Sequence, residues 1–423
     1  MRWRATLFTF GLALLTSRGV SLADEAVALD LSSQLATQFT LRLSIEPGEL
    51  AVPTRPAAGG LFWQSDDGLR SASAPGHALL AAPFVGAASL IADGALHERL
   101  DPLFTPGDRT VEQVLLPLHR DPRVLAFALF AALCAAAITF STLSALRARG
   151  GSARVLAAGA LLLVASPLAV YAGSTWSQLP ATAALALALF CATRKSAHGL
   201  DVGASLALAV LVRAELVLAL PGFALAPPRP RAALGALVPP LAAFALDAAL
   251  VPASSAGFSW STLPEGALGL LASPGEGLFV HAPWAVLALA SVDRRWLLAA
   301  LPLLALYAGW FDWASSLAYG PRLLLPLVPA LALVCAPVAA ARPRLAAPMM
   351  VFAMFMAIPG ALAAHARLGE PDPWSLEVFG AWTRLHPGDL LAASQPAWAA
   401  AALVALALSA LPWRRRAAEP ASI

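Results

Sequence analysis

Long apolar runs, interrupted by short polar turns, extend along most of the chain. A helix needs roughly 20 apolar residues to cross a hydrocarbon core of about 30 Å. Runs of about this length or longer without a charged residue occupy positions 124–146, 155–193, 323–341, 345–364 and 390–413. The pattern predicts an all-α polytopic membrane protein.

Interruptions within this pattern indicate where helices end. The run 155–193 is too long for one helix, and the polar patch Ser174–Gln178 divides it into an outgoing and a returning span. The segment 202–227 carries Arg213 and Glu215 between two apolar halves, which predicts a pair of short helices. Further spans are expected at 5–22, 232–252, 281–292 and 296–311. The prediction is about twelve transmembrane helices in a single membrane domain, 1–423.

The basic residues favour one orientation of these helices. With the amino terminus in the cytoplasm, more than half of the 28 Lys and Arg residues fall in short cytoplasmic turns. Only Asp201, Asp293 and Glu419 accompany them there. Cytoplasmic loops of membrane proteins are enriched in Lys and Arg. We therefore expect an even number of crossings, with both termini cytoplasmic.

The amino-terminal run has a second interpretation. Met1–Arg4, the apolar stretch after it and Ser21–Ala23 also fit a cleaved signal peptide. Its removal would leave an odd number of spans before the same cytoplasmic carboxyl terminus. A retained first helix is therefore preferred, and cleavage stays open.

Three outer segments are long enough to carry chemistry. The first outer loop, 24–123, is rich in Pro, Gly and acidic residues. Within it, the uncharged stretch 78–92 is too short to cross a bilayer and is typical of an interfacial or juxtamembrane helix. Further outer loops are expected at 253–280 and 365–395. Functional groups are therefore expected on the outer face.

Composition narrows the function classes. Charged residues make up 13% of the chain, about half of the roughly 25% usual in soluble domains. The net charge of +3 follows from the cytoplasmic basic turns, so we predict no nucleic-acid partner. All three cysteines lie in apolar runs, which argues against a disulfide framework or a metal cluster. No metal ligands are assigned, although the acidic first loop leaves a divalent cation open.

Acidic residues in the first outer loop are candidates for catalysis. Asp24 and Glu25 directly follow the first span, where a carboxylate can reach into an outer cleft or simply end in solvent. Asp66, Asp67 and His77 precede the predicted interfacial helix, in a segment that also fits two ordinary turns.

Breaks between later apolar runs supply candidates for anion binding. Arg213 is an intramembrane charge, which is a functional hypothesis by default, and a structural pair with Glu215 is the alternative. Ser273 and Glu276 lie in a Ser-Pro-Gly-Glu-Gly loop whose backbone N–H groups could form an anion seat or a plain turn.

The segment 312–326, with sequence DWASSLAYGPRLLLP, places polar groups where an apolar span is about to begin. Asp312 and Tyr319 precede Arg322, which follows Gly-Pro at the first turn of the expected helix. A guanidinium at this position can chelate phosphate with two N–H donors. An interfacial loop with a snorkelling arginine is the simpler alternative.

Together these motifs resemble the bacterial membrane glycosyltransferases of the GT-C superfamily, relatives of protein O-mannosyltransferases and of the aminoarabinose transferases of lipid A. The matching segments are Asp24–Glu25, Asp67–Phe84, Thr175–Gln178, Leu211–Arg213, Leu271–Phe279, Trp310–Trp313 and Tyr319–Pro326. The chain departs from the group at Ser71–Ala74, where tyrosines are frequent. It departs again at Ala214–Glu215, where a proline usually follows the arginine.

The resemblance implies an enzyme that transfers a sugar from a polyprenyl-phosphate donor to an envelope lipid, glycan or protein. Its partners would be the bilayer, this lipid donor and an acceptor that the motifs do not specify. The location implied is the bacterial inner membrane, with the active face periplasmic or extracellular. No cofactor is implied beyond the donor.

The resemblance also implies roles for single residues. Asp24 would be the general base, while Arg213, Arg322 and Tyr319 would bind the donor phosphate. Glu25 and Asp67 would be catalytic as well, either in support of Asp24 or in its place as the base. Substrate-loop roles fall to Asp66, His77, Ser273, Glu276 and Asp312.

Two other function classes stay open. A transporter would use ionisable groups at mid-membrane, and Asp247 with the broken helix at 202–227 is consistent with one, although no internal repeat is present. A non-catalytic protein of envelope biogenesis is the third possibility.

Overall fold

The computed structural model describes residues 1–17, 23–44, 62–65, 68–71, 75–92, 94–96, 100, 121–194, 198–224, 230–250, 258–291, 297–310, 313–314, 320–362, 373–376, 378–379 and 396–410. Within these residues the chain is predominantly helical, which confirms the predicted fold class. The only sheet they contain is one two-stranded antiparallel hairpin, β1 (Phe62–Ser65) and β2 (Gly68–Ser71).

The α-helices divide the chain into two sets. The first set is α1 (Arg2–Thr16), α2 (Ala23–Gln38), α3 (Gly76–Ser89), α4 (Pro122–Ala148), α5 (Ala153–Val164), α6 (Pro167–Tyr171), α7 (Gln178–Thr193) and α8 (Gly199–Val212). The second is α9 (Leu220–Ala224), α10 (Pro230–Leu250), α11 (Leu263–Ala272), α12 (Leu278–His281), α13 (Leu297–Ala308), α14 (Val328–Ala341), α15 (Pro343–Leu362) and α16 (Pro396–Ala410). The described residues also form three 3₁₀ helices, at Ala214–Ala219, Pro283–Ala290 and Arg322–Leu327.

Some helix starts show ordinary side-chain capping. The Asp121 side chain accepts a hydrogen bond from the Arg123 N–H at 2.8 Å, and Pro122 occupies the first position of α4. Ser166 caps α6 in the same way, with the Leu168 N–H at 3.1 Å. These signals fix where the helices begin independently of tertiary contacts.

Three described helices are long and apolar enough to cross a membrane: 122–148, 322–341 and 343–361. They coincide with predicted spans. The division of 155–193 at the polar patch is also present, because α6 ends at Tyr171 and α7 begins at Gln178. The segment 202–227 is broken at Arg213, as predicted. The total of about twelve crossings remains a prediction.

The predicted span 281–292 is wrong as a continuous transmembrane helix. The structure forms the four-residue helix α12 and then an eight-residue 3₁₀ helix that begins at Pro283. At about 2 Å per residue, eight residues reach only about 16 Å, roughly half of a bilayer core. Trp284 at the start of this helix is fully buried, whereas Val286 and Leu289 are exposed, so only part of the apolar run packs inside the protein.

The first outer loop contains one helix that hydropathy did not indicate. Helix α2 (Ala23–Gln38) begins where the first span was expected to end, and it packs against α3. Helix α3 corresponds to the predicted interfacial stretch 78–92 and begins two residues earlier.

Helix α4 lies at the centre of the bundle and packs against α1, α7 and α3. Phe127 and Ile138 of α4 are fully buried. A buried hydrogen bond of 2.9 Å joins Thr139 of α4 to Thr9 of α1. Helix α4 is thereby fixed against its neighbours.

Candidate functional site

The connection between α6 and α7, residues Ala172–Ser177, is the segment around which the site is built. It is not helical, and the Ser174 hydroxyl donates to the Tyr171 carbonyl at 2.8 Å. Thr175 and Trp176 are nevertheless buried. Buried polar groups in an irregular segment need partners. Thr175, Trp176 and Ser177 each contact a different distant element.

Thr175 binds Glu25, which lies in the first turn of α2. The Glu25 Oε1 atom accepts hydrogen bonds from the Thr175 N–H at 3.1 Å and from its hydroxyl at 2.7 Å. The Glu25 side chain is only 3% exposed, so this acid is not a solvated helix end.

Trp176 stacks under Arg322. The guanidinium carbon of Arg322 lies 4.3 Å from the centroid of the Trp176 ring, which is a cation–π geometry. The ring of Tyr171 lies on Trp176 as well, with centroids 5.6 Å apart and planes inclined by 29°.

Ser177 contacts Arg213, the residue at which α8 ends. The Arg213 guanidinium donates to the Ser177 hydroxyl at 3.3 Å and forms an ion pair with Glu215. Tyr307 of α13 donates a 3.3 Å hydrogen bond to the same oxygen of Glu215. The structural pair that the sequence left open is therefore present, and Arg213 is held between a hydroxyl and a carboxylate.

Three of the predicted site residues therefore converge. Glu25, Arg213 and Arg322 are far apart in the sequence, yet they contact three consecutive residues of one connection. The start of α3 approaches the same region, because a Cβ atom on Gly76 would lie 2.2 Å from the Leu211 carbonyl oxygen at the end of α8. Only a glycine permits this contact.

The Ser-Pro-Gly-Glu-Gly loop is folded on itself, which favours the plain turn over the anion seat, the two alternatives that the sequence left open. The Ser273 hydroxyl accepts from the Glu276 N–H at 3.2 Å, and the Ser273 carbonyl accepts from the Gly277 N–H at 2.8 Å. The Gly275 N–H bonds to the Pro373 carbonyl at 3.0 Å. These N–H groups are already used within the protein, so the loop has a structural role in this conformation.

His281 connects this loop to the segment before Arg322. Its Nε2 atom lies 2.8 Å from the Gly275 carbonyl oxygen, and a Cβ atom on Gly320 would lie 3.1 Å from its ring. Gly320 has φ +80°, a conformation that a glycine adopts without strain.

His77 is buried in an aromatic environment in the first turn of α3. Its ring stacks on Phe127 and Phe130 of α4, with centroids 5.3 and 6.0 Å away. Burial lowers the pKa of His77 from 6.5 to about 3, because the charged imidazolium loses its hydration. His77 is therefore neutral at pH 7 and contributes packing there rather than positive charge for an anion.

Several predicted residues lie outside what the structure describes. Asp24 is in the first turn of α2, but its side chain lies outside the described part. The others are Asp66, Asp67, Asp312 and Tyr319. Within the described part of the chain, no group of three His, Cys, Asp or Glu residues could hold a metal ion.

Sequence reasoning gave no role to Tyr171, Trp176 or His281. Rarity was a signal for Tyr171, because the chain has only three tyrosines. Two of them, Tyr171 and Tyr307, bind site elements. A rare residue type concentrated at helix ends is more informative than the common Ala and Leu. Trp176 lies in the predicted helix break Ser174–Gln178, but no local pattern indicated its contact with Arg322, which lies far away in the sequence. His281 binds Gly275, six residues before it, and the sequence pattern did not single it out.

The fold and site define a helical polytopic membrane protein with charged and aromatic groups gathered at one end of its bundle. In structure the chain is similar to ArnT from Cupriavidus metallidurans. It matches ArnT bound to undecaprenyl phosphate at 14% identity with a TM-score of 0.46, and apo ArnT at 15% identity with a TM-score of 0.47. Each match covers 96% of this chain and 75% of ArnT. No protein-family model and no curated protein sequence matches the chain.

Proposed function

We propose that the protein is a membrane glycosyltransferase that moves a sugar from a polyprenyl-phosphate donor to an acceptor hydroxyl. The observation that carries this proposal is the convergence of Glu25, Arg213 and Arg322 on residues 175–177. A carboxyl group and two guanidinium groups at one end of a membrane bundle suit a reaction in which a hydroxyl loses a proton and a phosphate gains charge.

The chemistry divides between these groups. The acceptor oxygen attacks the anomeric carbon of the sugar, and the bond from that carbon to the phosphate oxygen breaks. The acceptor proton passes to a carboxylate, which we assign to Asp24, the neighbour of Glu25 in the first turn of α2. The leaving polyprenyl phosphate gains a negative charge, which Arg322 and Arg213 stabilise. The acceptor is an envelope lipid, glycan or protein.

The orientation that fits this chemistry places the site on the outer face of the bacterial inner membrane. The lipid tail of the donor then lies in the bilayer, and its phosphate lies at the interface beside Arg322. Both termini are cytoplasmic in this arrangement, in agreement with the distribution of basic residues.

The direct test is to incubate the purified protein with polyprenyl-phosphate sugars and to measure sugar transfer or donor hydrolysis. Asp24→Asn is nearly isosteric and removes only the ability to take a proton. It should fold and bind donor, but transfer should fall by about 10²–10⁴-fold. Arg322→Lys should weaken donor binding, and Arg322→Ala should weaken it further, because only the guanidinium binds phosphate with two prongs. Full activity in Asp24→Asn would show that another residue is the general base.

A transporter is favoured by one observation. One carboxylate oxygen of Asp247 in α10 is buried and has no hydrogen-bond partner among the described residues. A buried carboxyl group of this kind can carry a proton in coupled transport. Proton uptake by proteoliposomes that Asp247→Asn abolishes, together with no sugar transfer by the wild type, would favour this function over the first.

A further inference from the structure

Two aromatic rings and one guanidinium group contact one another at the site. The Tyr171 ring packs on the Trp176 ring, and the Arg322 guanidinium lies over the Trp176 ring. Tyr171 is 1% exposed and Trp176 is 4% exposed, so neither ring can reorient without repacking its surroundings. The pair of rings is therefore a rigid support under a flexible side chain.

Besides its ring contact with Trp176, Tyr171 also binds the backbone next to Arg322. Its hydroxyl donates a 2.8 Å hydrogen bond to the carbonyl oxygen of Gly320. The same carbonyl oxygen accepts a 2.7 Å bond from the backbone N–H of Arg322. One residue thus fixes the backbone from which Arg322 projects and also supports the ring that lies under its guanidinium.

We propose that Tyr171 and Trp176 are positioning residues that orient Arg322 for edge-on binding of the donor phosphate, an inference that rests on the proposed function. A cation–π contact uses the face of the guanidinium. Bidentate phosphate binding uses the N–H donors in its plane, at the edge. The two interactions are compatible, and the first limits the directions in which the second can form.

Preorganisation explains why Tyr171 and Trp176, together an aromatic platform under Arg322, would strengthen donor binding. An arginine side chain has several rotatable bonds, and their ordering opposes ligand binding. If the aromatic pair already holds the guanidinium, the phosphate meets donors that need little further ordering. The aromatic platform therefore acts on donor affinity, and its loss should raise KM more than it lowers kcat.

The test measures binding of polyprenyl phosphate without a sugar, in lipid nanodiscs, together with kcat and KM for transfer. Trp176→Leu keeps an apolar side chain but removes the aromatic face, and it should weaken binding by about 3- to 30-fold, the range that a partly desolvated cation–π contact supports. Trp176→Phe restores a face and should stay within about 3-fold of the wild type. Tyr171→Phe keeps the ring and removes only the bond to Gly320, so it should weaken binding by a few-fold.

A control variant separates positioning from general stability. The Thr142 hydroxyl in α4 is buried and donates to the Ile138 carbonyl at 2.7 Å, within its own helix. Thr142→Val therefore removes a buried hydroxyl as Tyr171→Phe does. It should leave donor binding per folded molecule unchanged.

The decisive comparison repeats Trp176→Leu in an Arg322→Ala background, with the lipid concentration extended until binding saturates. Without the Arg322 guanidinium the aromatic rings have nothing to orient, so adding Trp176→Leu to Arg322→Ala should weaken lipid binding little further. If it weakens binding as much as in the wild type, Trp176 has a separate structural role and the inference is wrong. If Trp176→Leu alone leaves binding and KM unchanged while Arg322→Ala weakens both, the inference fails and the proposed function stands. If Arg322→Ala also binds normally, the phosphate site of the proposed function fails with it.

Discussion

The bond between Glu25 and Thr175 is the contact that ties the first outer loop to the α6–α7 connection. Thr175 donates both its backbone N–H and its hydroxyl to one carboxyl oxygen of Glu25, and both residues are buried. We expect Glu25→Gln, Thr175→Val and the double variant to lose stability by amounts that this geometry dictates.

The magnitudes follow from the two hydrogen bonds. A bond to a charged group contributes about 1.5–3 kcal/mol, and a neutral one about 0.5–1.5 kcal/mol. Glu25→Gln retains an oxygen acceptor and loses the charge, so it should cost about 1 kcal/mol per bond, or about 2 kcal/mol. Thr175→Val removes one bond and keeps the backbone donor, with a cost of about 1.5–3 kcal/mol. In the Thr175→Val background Glu25→Gln affects only one bond and should cost about half as much.

The assay is unfolding by SDS in mixed micelles, followed by the helical circular dichroism signal, for the wild type and the three variants. The double-mutant cycle should give a coupling free energy of about 1 kcal/mol. Strictly additive effects would show that the two side chains do not depend on each other. A Glu25→Gln variant as stable as the wild type would refute the assignment of Glu25 as an anchor.

Three further predictions concern other parts of the molecule. In the same SDS assay, Gly320→Ala should be more destabilising than Gly150→Ala by about 1–2 kcal/mol. Both glycines have positive φ, but of the two only Gly320 has a histidine ring 3.1 Å from the added Cβ atom. Burial keeps His77 neutral in the folded state down to about pH 3, whereas the unfolded state protonates it below about pH 6.5. The free energy of unfolding should therefore fall as the pH drops through this window, by up to about 1.4 kcal/mol per pH unit. His77→Gln should flatten this pH profile. A reporter inserted near Gly60 should be external and one fused after Arg416 cytoplasmic; a cytoplasmic signal near Gly60 would overturn the orientation on which the outer-face site depends.

The sequence determined the helical class and most helix positions. In α4, in α15 and in the segment 322–341, which joins a 3₁₀ helix to α14, an apolar run of sufficient length has a stable place across a bilayer, so hydropathy alone located them. It also located the breaks at Ser174–Gln178 and at Arg213, because polar groups there cannot stay unpaired in lipid. These outcomes depend on local composition and need no knowledge of the fold.

Only the tertiary structure decided how those breaks meet. Hydropathy reports the tendency of a segment to leave water, and it does not distinguish lipid from protein as the apolar surroundings. Pro283–Ala290 was therefore taken for part of a span, although it forms a short 3₁₀ helix in which Trp284, Ala285, Leu287 and Ala288 are buried within the protein. The bonds of Thr175 to Glu25 and of Ser177 to Arg213 join residues 150 and 36 positions apart, and no local pattern encodes such partners. The aromatic support under Arg322 arises for the same reason, because it forms only when α6, α7 and the segment before α14 are packed together.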